Sequence, residues 1–234
     1  MKGSSPVLRR LIAASAAVLG VGLVATGCSP VKMGAAAVVG SQRITLATLD
    51  TEVTNLSRNV QLYHNPSSLT AAQQTQDTLT WLIRFQINEQ LARTEGITVS
   101  TAQAQAALAA IYAEAKSELE SEGASNPSLD YILSYIGIPS NLATEVGRYQ
   151  AIDTQFIEQV NGGKVPTATA AQTATTAKLQ RAQCTAAKAL QIQVSPQFGR
   201  LNYSQLEVVT VPGTVARPAG AAKAASTAGL TPAC

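Results

Sequence analysis

Apolar side chains recur every three or four residues over most of this chain, and that spacing restricts the fold to one built mainly from helices. The first stripe has spacings of 3, 4, 3, 4 and 3, which places its members on one helical face. Its members are Leu46, Leu49, Val53, Leu56, Val60 and Tyr63. Thr45 is suited to cap this helix, and the breaker at residues 65–68 is suited to end it.

The same periodicity predicts five further helices. They cover about residues 71–94, 101–122, 129–136, 140–160 and 167–190. Ser100 and Ser140 are expected to open the third and fifth helices, and Gly96 and Gly137 to end the second and fourth. The second helix should bury one stripe, with Trp81 lying beside it. That stripe consists of Leu79, Leu82, Ile83, Ile87 and Leu91.

Short extended runs flank the helices. Residues 35–39 and 43–45 are separated by Gly40-Ser41, which is typical of a type II′ hairpin. Ile192–Val194 and Leu206–Val211 are candidate strands near the other end. The predicted fold is therefore mainly α, with a small β element where the N-terminal hairpin meets the C-terminal strands.

The first residues have the pattern of a secretion signal. A basic start precedes the apolar run Leu11–Val24, and Ala25-Thr26-Gly27-Cys28 closes the segment. The Gly-Cys pair indicates the bacterial lipoprotein type, in which Cys28 is diacylated and becomes the mature N-terminus. Two acyl chains suffice for stable anchoring. An uncleaved membrane helix and a soluble secreted protein remain the alternatives.

This interpretation divides the chain into four parts. Residues 1–27 are the signal peptide, residues 28–34 a lipid-anchored tether, residues 35–211 the helical domain and residues 212–234 a low-complexity tail. The tail is rich in Ala, Gly, Pro and Thr, so we expect it to be disordered. The expected location is the extracytoplasmic face of the cell membrane.

Charge is unevenly distributed along the mature chain. Residues 28–160 carry 7 basic and 13 acidic groups, whereas residues 161–234 carry 7 basic and 1 acidic. The total is neutral, so the basic pI of the whole sequence does not indicate a nucleic-acid partner. The asymmetry has three readings: chance on solvated faces, docking of the basic part on the acidic body, or contact with anionic lipid.

No residue pattern indicates catalysis, a cofactor or a metal. His64 is the only histidine, and neither a nucleophile nor an orienting acid is marked for it. Glu114, Glu118, Glu120 and Glu122 are interpreted as a solvated helix face. Paired carboxylates could in principle bind a cation or flank a glycosidic bond, but no aromatic residues support such a site.

Two cysteines remain once Cys28 is assigned to lipidation. Cys184 and Cys234 would pair in an oxidising exterior. Closing a loop of about 50 residues would restrict the unfolded chain by roughly 4 kcal/mol in the entropic model. The alternative is that Cys234 stays free or pairs between molecules.

Three segments resemble a known family in the same order. Residues 36–50 (AAVVGSQRITLATLD) are similar to the strand, turn and helix start of SurA-like periplasmic and lipoprotein chaperones. Residues 95–100 (EGITVS) resemble the step before that family's third helix. Residues 193–200 (QVSPQFGR) resemble a segment found late in lipid-anchored actinobacterial relatives.

The resemblance implies a chaperone function, but not the isomerase activity of many relatives. It implies a lipid-anchored, ATP-independent chaperone or foldase helper that binds unfolded exported polypeptides in an apolar groove between helices. Relatives often carry a parvulin-type prolyl isomerase domain of about ninety residues. About thirty residues separate Val160 from Leu190, and none is histidine, so we expect no isomerase. The alternative function is an envelope scaffold with one fixed protein partner.

Overall fold

The structure is a computed structural model that describes residues 33–63, 69–211 and Cys234. The elements, in chain order, are β1 (Ala35–Val39), β2 (Gln42–Thr45), α1 (Leu46–Leu62), α2 (Ala71–Glu95), α3 (Thr101–Ser121), α4 (Leu129–Tyr135), α5 (Ala143–Val160), α6 (Thr169–Ala189), β3 (Gln193–Val194), β4 (Arg200–Asn202) and β5 (Glu207–Val209). The prediction of a mainly α fold with a small β element is confirmed. Four of the predicted features lie outside the described residues. They are the signal peptide, the lipidation site, His64 and all of the predicted tail except Cys234.

Polar side chains cap the N-termini of the first three helices. Thr45 accepts from the Thr48 N–H at 3.0 Å, as predicted. Thr70 and Ser100 form capping boxes with glutamines three residues later, which satisfies backbone donors on both sides. Gly96 ends α2 in the left-handed conformation at φ 68°, also as predicted.

At the turn between α4 and α5, the predicted end of α4 is confirmed, whereas the predicted start of α5 is wrong. Gly137 has φ 76°, and the Ile138 N–H donates to the Leu133 carbonyl at 2.8 Å, which is a Schellman end with Ile138 fully buried behind it. Ser140, in contrast, does not cap α5. It begins a 3-10 turn, and its hydroxyl accepts from Asn59 Nδ2 at 2.7 Å, because α1 packs against this turn.

The β structure joins the two ends of the domain. Strand order is β2-β1-β3, and a two-residue loop connects β1 to β2 with Gly40 at φ 59°. A second sheet contains only β4 and β5. The predicted strand at 206–211 is shorter, because Leu206 has φ 52° and its buried side chain packs into the core instead. β4 was not predicted.

Helix α2 forms the centre of the hydrophobic core. It packs against α1, α5, α6, β1 and β5, so its apolar stripe is enclosed on several sides. Leu79, Ile83, Ile87 and Leu91 are at most 1% exposed, as the stripe predicted. Among the described residues, no helix has both the length and the apolar character needed to cross a membrane.

Helices α3 and α5 approach each other closely at a glycine. A Cβ on Gly147 would lie 2.4 Å from the Ala104 carbonyl oxygen, so only glycine permits this packing. Ala104 is the buried member of the predicted α3 stripe, whereas the larger members, such as Leu108 and Tyr112, are half-buried. α3 therefore lies at the edge of the core.

Candidate functional site

An open apolar groove runs along the first half of α1. Its volume is about 470 Å³, within the range of about 300–1,000 Å³ that is usual for binding pockets. It is lined by Leu46, Ala47, Leu49, Asp50, Val53, Thr75 and Phe198. We refer to these residues as the α1 groove. Its lining comes from α1, the start of α2 and the connection between β3 and β4.

The N-terminus of α1 places an apolar side chain at the mouth of this groove. The Leu46 N–H donates to the Gly34 carbonyl at 3.0 Å, which fixes the first residue of the helix against the start of β1. Leu46 remains 37% exposed, whereas Leu49 on the groove floor is 3% exposed. The predicted stripe is therefore buried at Leu49 and open at Leu46.

A tight turn positions Phe198 at the other side of the groove. The Phe198 N–H donates to the Ser195 carbonyl at 2.9 Å. Gly199 has φ 115°, and a Cβ there would lie 2.1 Å from the Val209 carbonyl oxygen, so no other residue fits. The segment 193–200, noted for its family resemblance, thus contributes Phe198 to the lining of the α1 groove.

A second groove lies between α3 and α5 and has a different character. Its volume is about 360 Å³. Its centre is formed by small side chains such as Ala107, Ala110 and Ala151, and its rim carries Glu114 and Glu158. Apart from one isoleucine, its apolar side chains are alanines, so it has few large side chains to pack against a bulky client group. The α1 groove is the better candidate for burying one.

A buried polar network connects α2, α5 and α6. Asp153 Oδ1 accepts from Asn88 Nδ2 at 3.0 Å and from Gln183 Nε2 at 3.1 Å. Gln183 Nε2 also donates to Asn88 Oδ1 at 3.0 Å and to the Tyr149 hydroxyl at 3.3 Å. Asn88, Asp153 and Gln183 are each less than a tenth exposed. The network holds three helices in register.

Burial changes the acid–base properties of this network. Burial raises the pKa of Asp153 to about 7, although the hydrogen bonds from Asn88 and Gln183 oppose the shift. Burial and the nearby Asp153 carboxylate also raise the pKa of Tyr149. The groups of the network are buried between helices, so their protonation bears on the stability of the fold.

The other predicted site residues fall as follows. Cys184 and Cys234 are joined by a disulfide, with Cα atoms 5.5 Å apart. The acidic run on α3 is exposed, in line with a solvated face. Within residues 33–63 and 69–211, no three His, Cys, Asp or Glu side chains come together as metal ligands would.

Neither the part of Phe198 in the groove nor the network at Asp153 was predicted from the sequence. Phe198 lies far from α1 in the sequence, and only the resemblance drew attention to its segment. Asp153 directly follows Ile152, which is buried. A charged residue beside an apolar stripe is normally assigned to the exposed face of the helix. The signal that could have identified the network is a carboxylate residue directly beside the apolar stripe of α5.

Comparisons with known proteins support the family resemblance. Residues 6–118 match the family model of the SurA-like N-terminal domain, which is about half of the chain. No catalytic isomerase domain is found with it. No curated protein and no solved structure is similar enough to the chain to count as a match. The matched region ends within α3 and includes the helical part of the α1 groove.

Proposed function

We propose that this chain, whose residues 6–118 match the SurA-like N-terminal domain of a chaperone-related family, is an ATP-independent chaperone. SurA-like domains are associated with polypeptide binding. We place the binding of unfolded exported polypeptides in the α1 groove and the protein on the extracytoplasmic face of the membrane, held by acyl chains on Cys28.

The exposure of Leu46 beside buried Leu49 carries the proposal. An apolar side chain of a client that enters the α1 groove would cover Leu46 and meet Phe198 on the opposite wall. Burial of apolar surface is the main source of affinity between an unfolded segment and such a groove. The groove is open, so binding and release need no domain motion and no nucleotide.

The disulfide supports the proposed location. Disulfides persist in oxidising compartments outside the cytoplasm, where exported chains arrive unfolded. The Cys184–Cys234 bond fits such a compartment, as does the signal-like pattern of residues 1–28.

We expect Cys28→Ser to prevent lipidation. The serine hydroxyl cannot replace the thiolate in thioether formation, so the mutant should leave membrane fractions or persist as an uncleaved precursor. Fractionation followed by mass spectrometry of the N-terminal peptide measures both. Ser29→Ala, the neighbouring change, should behave as wild type. Normal processing and membrane retention of Cys28→Ser would contradict the anchor.

The client-binding proposal is tested by suppression of aggregation. The protein used is the chain from Ser29 onward, which contains every helix and strand described above and whose folding is checked by circular dichroism. Added to an unrelated protein that is refolding from denaturant, it should lower light scattering without ATP. Absence of suppression would favour the envelope scaffold.

Two leucines on one helix provide a matched pair of variants. Full burial of a leucine contributes about 2 kcal/mol, and Leu46 has 37% of its surface left to bury. Leu46→Gln should therefore raise the concentration needed for half suppression about fourfold. Leu62 is 64% exposed but lies outside the α1 groove, so Leu62→Gln should have little effect. A larger loss in Leu62→Gln would indicate nonspecific apolar contact.

A further inference from the structure

The C-terminal part of the fold contains several basic residues and almost no acidic ones. No acidic residue occurs between Asn161 and Leu206. Within this region, α6 presents Lys178, Arg181 and Lys188, all of them exposed. Spacings of three and seven residues place the three cations on one side of the helix. We call this side the basic face of α6; the exposed small residues Ala171, Ala174 and Thr185 lie along the same side.

The charges of the basic face are not used within the domain. Among the described residues, the ion pairs are Arg84–Glu207, Lys116–Glu120 and Arg148–Glu89, and none involves α6. The Arg181 guanidinium donates only to the Ala177 carbonyl of its own helix, at 3.1 Å. The acidic part of the described chain therefore does not neutralise these cations, which leaves them available to an outside partner.

The basic face lies close to the point where the chain enters the domain. The Gly40 N–H donates to the Leu190 carbonyl at 2.7 Å, which holds the tip of the β1–β2 hairpin against the end of α6. β1 has five residues, so its start lies about 17 Å from this tip. Only residues 29–34 separate that start from Cys28. A surface that holds Cys28 is therefore within reach of α6.

We propose that the basic face of α6 docks on a lipid surface with anionic headgroups. The cations form a row about 15 Å long, and the side chains that flank it on α6 are small. Each Lys or Arg near an anionic membrane contributes about fivefold to affinity, and the contributions accumulate along the row. The nearness of the chain entry point favours a membrane over nucleic acid or an acidic protein.

Docking would orient the domain on the membrane. This goes beyond the binding of clients, and its test uses neither a client nor the acyl anchor. The choice of a membrane as partner rests on the proposed anchoring of Cys28, but vesicle binding and client binding are measured separately, so failure of one test does not decide the other.

The test is vesicle binding by the unlipidated chain from Ser29 onward. It should co-sediment with vesicles that contain phosphatidylglycerol and not with pure phosphatidylcholine, and 0.5 M salt should abolish the binding because it screens charges over a few ångströms. Lys178→Gln/Arg181→Gln should weaken binding about 30-fold. Lys188 is left unchanged, since a cation in the last turn also stabilises the helix.

A variant of equal charge separates this face from net charge. Arg58→Gln/Lys164→Gln removes two exposed cations from α1 and from the α5–α6 connection and should weaken binding less than threefold. Equal losses in the two variants, or equal binding to both kinds of vesicle, would overturn the proposal. One more result would overturn it. The wild type would bind no vesicles but would bind polyglutamate or single-stranded DNA, and the α6 variant would lose that binding.

Discussion

Ile83→Asp is expected to leave the domain unfolded. Ile83 is 0% exposed near the centre of α2 and belongs to the hydrophobic core cluster. An unpaired buried carboxylate costs several kcal/mol, comparable to the total stability of about 5–15 kcal/mol of a typical domain. Leu49→Asp should act in the same way, because Leu49 is 3% exposed. Circular dichroism during thermal unfolding measures both.

Leu62→Asp is the control for these variants. Leu62 lies on the same helix as Leu49 and is 64% exposed, so the change should cost less than about 1 kcal/mol. Wild-type melting of Ile83→Asp would contradict the packing of α2. Unfolding of Leu62→Asp would show that the buried face of α1 has been assigned incorrectly.

The stability of the wild type should decrease between about pH 4 and pH 7. The Asp153 carboxyl loses its proton near its usual pKa of 3.8 when unfolded but only near 7 when folded. The folded state therefore binds more protons in this window, and rising pH favours the unfolded state. The loss is on the order of 4 kcal/mol. Urea unfolding at pH 4.5 and 7.5 measures it.

Asp153→Asn should remove most of this dependence. The asparagine oxygen can accept the same bonds from Asn88 and Gln183 and cannot ionise. Asp77 has a pKa raised to about 6, mainly by burial, so it contributes in the same direction. Asp77→Asn should therefore leave the larger part of the decrease in place. A wild type that becomes more stable towards pH 7, or an unchanged slope in Asp153→Asn, would contradict the buried network.

The helices were predictable because each is specified by local signals. The stripe on α2, the caps at Thr45 and Ser100, and the glycine ends at Gly96 and Gly137 all depend on residues within a few positions of one another. Strands of two or three residues carry no comparable periodicity, so β4 was missed. Leu206 was assigned to a strand because its side chain is apolar, but its backbone turns to bury it.

The groove and the network were not predictable from such local signals. The α1 groove depends on Phe198, which is brought to α1 by a turn about 150 residues later in the sequence. The network requires α2, α5 and α6 to converge on Asp153. The close approach at Gly147 likewise depends on where α3 passes. Each of these features is a property of packing between elements.

We propose that the α1 groove binds unfolded polypeptide, and photo-crosslinking measures directly where the polypeptide contacts the protein. A photo-crosslinking amino acid is placed at Leu46 or, separately, at Leu62, and each protein is irradiated with an unfolded client and with the same client folded. We expect crosslinks from position 46 to the unfolded client only, and few from position 62. Equal crosslinking from both positions, or crosslinks from position 62 alone, would contradict it.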